Sequence, residues 1–237
     1  MTIDPIYQNS LAAIATIIYV KVLIGCCEFA VSKNWIPSKI SRKIVHVGAG
    51  SWILFWPLFT KEHYTWRLNI IVPAIYSVQL FIKGALIQNP NDADVKTMTR
   101  TGKPSELLYG PLFFTLIMNT VGLLCFQDRE VGILIMASLG YGDGIAPLVG
   151  GYMPFGQYPT YPFGRGDKKT LSGSLGFFVS SIVGYSVFKG MLMDTESSSD
   201  LGRVLRVIAV TTITEGITGS FDNIFIALSA YLSYKYL

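Results

Sequence analysis

The sequence predicts an all-α, polytopic membrane helix bundle of about eight transmembrane helices, the last two short, in one integral-membrane domain over residues 1–237. Three observations lead there. Hydrophobic residues make up 51% of the chain and charged ones only 14%, with a mean hydropathy of +0.45, a balance suited to helices that face lipid. Apolar runs of about 13 to 20 residues recur from end to end; a tilted span needs about 17 to 25, so polar or glycine-containing turns must extend the shorter runs. The lysines and arginines behind the net charge of +4 fall between these runs, where they orient the chain in a bilayer. No polybasic tract is present, and nucleic acid is not an expected partner.

In chain order, the first span is Ile6 to Cys27. It lacks a basic leader region and a small-residue cleavage signal, so it reads as a retained helix. Ile44 to Phe59 follows behind Arg42 and Lys43, then Leu68 to Leu86, Leu107 to Phe126, Val131 to Val149 and Leu171 to Met191. Val204 to Ile217 and Ile224 to Tyr236 are the short pair, and TEGITGSFDN between them admits a re-entrant turn lining a cavity. Cys26, Cys27 and Cys125 draw no disulfide framework, and with only His46 and His63 a structural zinc site is not expected. No internal repeat of the transporter kind is evident.

Alternate connections differ in charge. Lys33, Lys39, Arg42, Lys43, Lys83, Lys96, Arg100, Lys103, Arg165, Lys168 and Lys169 fall in one set; Lys61, Arg67, Arg129, Lys189, Arg203 and Arg206 fall in the other. The richer set is expected to be cytosolic. Every polar motif of the chain then emerges on that face, as a charged cytosolic co-substrate would require.

The strongest motif is GYGDGIAP, with Asp143 between Gly142 and Gly144 towards the end of an apolar helix. A carboxylate in a membrane-length run costs about 2.5 to 3.5 kcal/mol on insertion scales, which makes a functional site the default reading. No Lys or Arg is near Asp143 in sequence to keep it charged, so a magnesium ion shared with phosphates is the natural partner. Further on, GRGDKKTLSGS departs from the P-loop pattern, because Asp167 and Lys168 separate the glycine from the lysine. It still places Lys169 and Thr170 before a helix whose Gly173 and Ser174 could offer backbone amides to an anion; small residues there serve helix packing equally well.

Three other stretches carry polar groups. SRKIVHVGAG puts Lys43 and His46 three apart on one helical face beside Arg42, either a phosphate-facing set or an orientation anchor. TRTGKPSELLYGP sets Arg100 and Lys103 ahead of a helix that Ser105 is placed to cap. TEGITGSFDN supplies Glu215, Asp222 and Asn223 in an otherwise apolar tail, with Asp222 a candidate cap for the last helix.

Taken in order, R-K-x-x-H, G-K-x-x-E-L-L-x-G-P-L, G-D-G-x-A, K-[ST]-x-x-G-S and E with a late D-N resemble the polyprenol kinase family, in its phytol and farnesol kinase branch. Dolichol kinase and CTP-dependent diacylglycerol kinase are related, and phosphatidate cytidylyltransferases more distantly so. The resemblance covers Ser41 to Leu228. In one respect the chain departs from it: Phe221 stands where the family often carries a first aspartate.

The resemblance implies γ-phosphoryl transfer from CTP, with Mg²⁺, to the primary hydroxyl of an isoprenoid alcohol of phytol, farnesol or geranylgeraniol type. It implies Asp143, Lys169, Glu215 and Asp222 as catalytic, with Asp143 and Asp222 on the metal. Arg42, Lys43, His46, Lys103, Gly142, Gly144, Thr170, Gly173, Ser174 and Asn223 would bind the nucleotide. The expected location is multi-pass in a membrane: the endoplasmic reticulum or plastid envelope in a eukaryote, the inner membrane in a bacterium. The alternatives are a cytidylyltransferase or an isoprenoid-monophosphate kinase of the same superfamily and, in a different class, a transporter.

Overall fold

The computed structural model describes residues 3–161, 168–193, 200–219 and 221–237. Arg165 and the Gly164–Asp167 part of the basic motif lie outside them. The chain packs as two compact units, Met1–Phe126 and Gln127–Leu237.

In the first unit, α1 (Pro5–Ser32) starts with proline at its first position, and Asp4 Oδ1 accepts from the amides of Ile6 (2.7 Å) and Tyr7 (3.2 Å). α2 (Ser38–Gly50) runs on as a 3-10 stretch, Ser51–Leu58. A 3-10 stretch, Tyr64–Ile70, feeds α3 (Ile71–Phe81), which continues as a π stretch, Ile82–Ile87, and stops at the left-handed Gln88. α4 (Ala93–Met98), a 3-10 turn (Pro104–Leu108) and α5 (Gly110–Leu124) complete the unit.

Its aromatic core centres on Phe126, stacked on Trp66 at 5.0 Å and met edge-on by Trp56. Gly122 closes this core. Asn69 donates to its carbonyl at 3.1 Å, and a Cβ there would sit 2.4 Å from Ile70, 2.6 Å from Asn69 Oδ1 and 2.7 Å from Trp52. Gly122→Ala is therefore expected to destabilise the protein by about 1 to 3 kcal/mol, the usual cost of overpacking. Thermal unfolding in detergent measures this, and an unchanged midpoint would contradict it.

In the second unit, α6 (Arg129–Met136), a π stretch (Ala137–Gly142) and α7 (Asp143–Tyr152) form one continuous helical run. Its most apolar window is 78% buried, against 28 to 33% for the other long apolar helices, so this run is the axis of the unit. A two-stranded antiparallel ribbon follows, β1 (Gln157–Pro159) with β2 (Lys168–Thr170). Then come α8 (Leu171–Leu192), α9 (Leu201–Ile217) and α10 (Asp222–Tyr236).

α8 lies antiparallel on the axis, and small residues set their separation. A Cβ on Gly142 would strike Ser181 and Phe177, and one on Gly184 would strike Tyr141. At the other end, Glu130 accepts from the hydroxyls of Tyr185 and Tyr234, each at 2.9 Å, and so ties α6 to α8 and α10.

The helical polytopic bundle expected from the sequence is what forms. Among the described residues, five helical stretches are long and apolar enough to cross a membrane: Pro5–Ser32, Tyr64–Ile87, Pro104–Leu124, Arg129–Tyr152 and Leu171–Leu192. The other expected spans also appear as helices. One is α2 with its 3-10 continuation, made less apolar by Arg42 and Lys43; the others are α9 with 17 residues and α10 with 15, the expected short pair. The helix carrying Asp143 ends at Tyr152, three residues past the expected Val149, and α9 ends at the expected Ile217, which keeps Glu215 helical.

Candidate active site

Four of the residues singled out in the sequence meet in the second unit. Asp143 opens α7 directly after the π stretch. Its amide donates to Ser138 O, five residues back, so the extra residue of the π turn resets which side chains point inward from there on. Its carboxylate is buried, 7% exposed, on the axial helix. Gly142 against Phe177 and Ser181 puts the junction of the π stretch and α7 beside the second and third turns of α8, about 9 to 15 Å along the helix from its start.

Lys169 comes from β2. Its Nζ donates to the main-chain carbonyl of Glu215 and, at 2.5 Å, to Glu215 Oε1. The Lys169 side chain is 19% exposed and that of Glu215 6% exposed, so this is a largely desolvated ion pair. The carbonyl lies in the last turn of α9, where it also accepts from the Thr218 amide and hydroxyl, each at 3.4 Å, and where a cation complements the helix dipole.

Asp222 occupies the first position of α10 and makes no side-chain cap; its Oδ1 accepts from the adjacent Asn223 amide at 2.9 Å. The expected capping role thus falls away. Burial first, and then the Asp143 carboxylate, push its proton affinity up; Lys169 and the Asn223 amide oppose them, and Glu215 adds to the rise. Asp143, Glu215 and Asp222 therefore share one electrostatic environment with a single lysine. The Asp143 carboxylate raises the cost of charging Asp222, a cost that a bound cation would relieve. Among the described residues no three His, Cys, Asp or Glu side chains form a metal site. The donor set fits an ion held by one or two carboxylates plus phosphates, as Mg²⁺ typically is, and does not fit a closed protein cage.

The start of α8 differs from expectation. Thr170 Oγ1 accepts from the Gly173 amide at 3.0 Å, Leu171 donates to Gly156 O at 3.0 Å, and Ser172 donates to Phe155 O at 3.4 Å. These first amides are spent on a cap, so the Gly173 amide is not an open anion site. Ser174 Oγ is engaged by the Tyr158 hydroxyl at 2.6 Å.

The remaining candidates lie in the first unit. Arg42, Lys43 and His46 share α2; Lys43 is 8% exposed and the His46 ring packs on Phe114 with centroids 4.2 Å apart. Lys103 is exposed at the head of the Pro104–Leu108 turn. Ser105 does not cap that turn. Glu106 organises it instead, its Oε2 accepting from the amides of Arg100 (2.5 Å) and Thr101 (3.2 Å) and its Oε1 from the Thr101 hydroxyl.

Two features escaped the sequence reading. One is a cluster in which Lys83 reaches Asp92 (2.9 Å) and Asp94 (2.5 Å) while Gln79 donates to Asp94 (2.8 Å). Its sequence signal was a lysine near the end of an apolar run followed by NDAD. The other is Tyr158, which no periodicity marks.

Buried apolar helices around a carboxylate pair and a lysine–glutamate pair define the chain as a helical membrane protein with an ionisable centre. The chain is 31% identical to phytol kinase 1, chloroplastic, of Arabidopsis thaliana over 88% of its own length and 71% of that protein's. It is 32% identical to the probable phytol kinase, chloroplastic, of Zea mays over 84% of this chain and 67% of that one. With the farnesol kinase, chloroplastic, of Arabidopsis thaliana the identity is 26%, covering 82% and 64%. No model of a known protein family matches the chain, and no solved structure matches it. The chain belongs to the phytol and farnesol kinase family and is a kinase.

Proposed function

We propose that this kinase transfers the γ-phosphoryl group of CTP to the primary hydroxyl of an isoprenoid alcohol of phytol, farnesol or geranylgeraniol type, at the cytosolic face of its membrane. The relatives' names support the acceptor class. The observation that carries the reading is the meeting of Asp143, Asp222 and the Lys169–Glu215 pair, from four separate elements, inside an apolar helical unit.

Asp143 and Asp222 would hold Mg²⁺, which when bound supplies charge neutralisation on the phosphates. The chain's own residues account for the rest. Lys169, brought in by β2 and steadied by Glu215, is the cation for the phosphoryl oxygens, where positioning and electrostatics supply most of the catalysis. Glu215 or Asp222 would orient the alcohol and take its proton. The alcohol oxygen bonds to the γ-phosphorus, the bridging P–O bond to the β-phosphate breaks, and CDP leaves. The apolar helices shield the acceptor chain from water. Arg42, Lys43, His46, Lys103 and Asn223 are proposed nucleotide contacts. The relatives are named as chloroplastic, which makes a plastid membrane the location to examine first.

The test is the purified protein in detergent with labelled CTP or ATP and a panel of phytol, farnesol, geranylgeraniol, dolichol and diacylglycerol. A lipid monophosphate with CDP is expected. Pyrophosphate with a CDP-linked lipid would identify a cytidylyltransferase instead. For the membrane face, single cysteines at Lys39, Lys103 and Gln157 should react with an impermeant reagent from one side and a cysteine at Glu62 from the other. Labelling of Lys103 and Gln157 from opposite sides would refute the single-face arrangement.

A further inference from the structure

We propose that Tyr158 is a positioning residue for phosphoryl transfer, locking the β1–β2 ribbon onto α9 so that Lys169 is delivered to Glu215. The inference rests on the reading of Lys169 as the phosphate-facing cation and assigns what holds it in place.

Tyr158 and Lys169 are directly opposite partners in the antiparallel ribbon, so their side chains project from the same face. From that face each reaches one of two consecutive residues of α9. Lys169 takes Glu215 through both its carbonyl and its carboxylate. The Tyr158 hydroxyl lies against Gly216, where a Cβ would stand 2.9 Å from the phenol oxygen but 3.7 Å from the ring carbon bearing it. The same hydroxyl is fixed by Ser174 Oγ of α8 at 2.6 Å. One phenol thereby joins ribbon, α8 and α9 at the residue beside Glu215, and the absence of a side chain at Gly216 is what admits it. A three-residue strand has little stiffness of its own. Without this contact the Lys169 side chain would be held to α9 only by its bonds to Glu215, and phosphate competes with Glu215 for that lysine.

The distances define a double-mutant cycle. Gly216→Ala pushes on the phenol oxygen only while that oxygen is present. In the Tyr158→Phe background the added methyl meets the ring carbon at 3.7 Å and Ser174 Oγ at 3.8 Å, both ordinary contact distances. Misplacing a reacting group by about 1 Å can cost up to 10²-fold, so Gly216→Ala alone is expected to lower kcat/KM for the nucleotide by about tenfold or more. Tyr158→Phe should lower it by a smaller factor, and the double variant should be no worse than Tyr158→Phe. The KM for the alcohol should not change. Ser174→Ala, which removes the partner without crowding, should reproduce the Tyr158→Phe defect and serves if Gly216→Ala does not fold.

Additive losses, equal losses for nucleotide and alcohol, or a lowered melting temperature with unaltered kinetics would each overturn the lock. Lys169→Met run alongside separates the two layers. If it leaves the nucleotide parameters unchanged, the reading beneath fails and the lock with it; if it is impaired while the cycle is additive, the lock alone fails.

Discussion

Asp143→Asn is expected to abolish most turnover while the protein still inserts and purifies normally. The substitution keeps the shape of the side chain and removes its charge. At a position 7% exposed, with the Asp222 carboxylate as an electrostatic neighbour, it isolates the role of the charge from that of the side-chain volume. Activity should fall because the carboxylate expected to hold the metal against the phosphates is gone. Losing one preorganised electrostatic contact typically costs about 10² to 10³ in rate, and losing the metal should cost at least that. The measurement is kcat at saturating Mg²⁺ and CTP beside a melting curve. A near-wild-type rate would mean that Asp143 is a structural carboxylate and would remove the centre of the proposed mechanism.

Lys169→Met should damage stability and activity together, and the two losses should separate in a second variant. The lysine is the partner of a Glu215 side chain only 6% exposed, so its removal strands a buried carboxylate. Breaking such a pair costs about 3 to 5 kcal/mol; the partial exposure of Lys169 places this pair at the low end. Lys169→Met combined with Glu215→Gln removes both charges and should recover much of the melting temperature. Turnover should stay about 10²-fold or more below wild type, because the phosphate-facing cation is still missing. Preference among lipid alcohols should be unaltered. If the double variant regained activity along with stability, the pair would be a structural tether and Lys169 would have no part in the chemistry.

The order of helices was legible in the sequence because the property that defines them is local. An apolar run long enough to cross a bilayer needs no distant partner to be recognised, and those at Pro5–Ser32 and Leu171–Leu192 match the expected spans within a few residues. Asp143 was legible for the same reason: its cost is set by the apolar residues on either side of it. Capping was read less well. Ser105 and Asp222 each have the right chemistry for a helix start, but Ser105 makes no cap, Glu106 reaching back to the Arg100 and Thr101 amides instead, and Asp222 is bonded to the next amide. For the glycine-rich start of α8 the sequence left anion-facing amides and helix packing open; the structure engages the Leu171, Ser172 and Gly173 amides with Gly156, Phe155 and Thr170 and sets Gly173 against α7.

By itself, then, the sequence determined a polytopic helical membrane protein, the family pattern from Ser41 onward and a buried aspartate at position 143. Only the tertiary structure decided which charges meet. Lys169 and Glu215 are 46 residues apart, and nothing in either neighbourhood selects the other. Their pairing follows from the register of Tyr158 opposite Lys169 and from a glycine in α9 that lets the ribbon approach. The turn that aims Asp143 is likewise a π stretch whose composition, ASLGYG, is unremarkable for an α-helix. Hydropathy is a sum over neighbours in the chain and survives being read in one dimension. Ion pairing and helix register are set by distances between segments, and those exist only once the helices have packed.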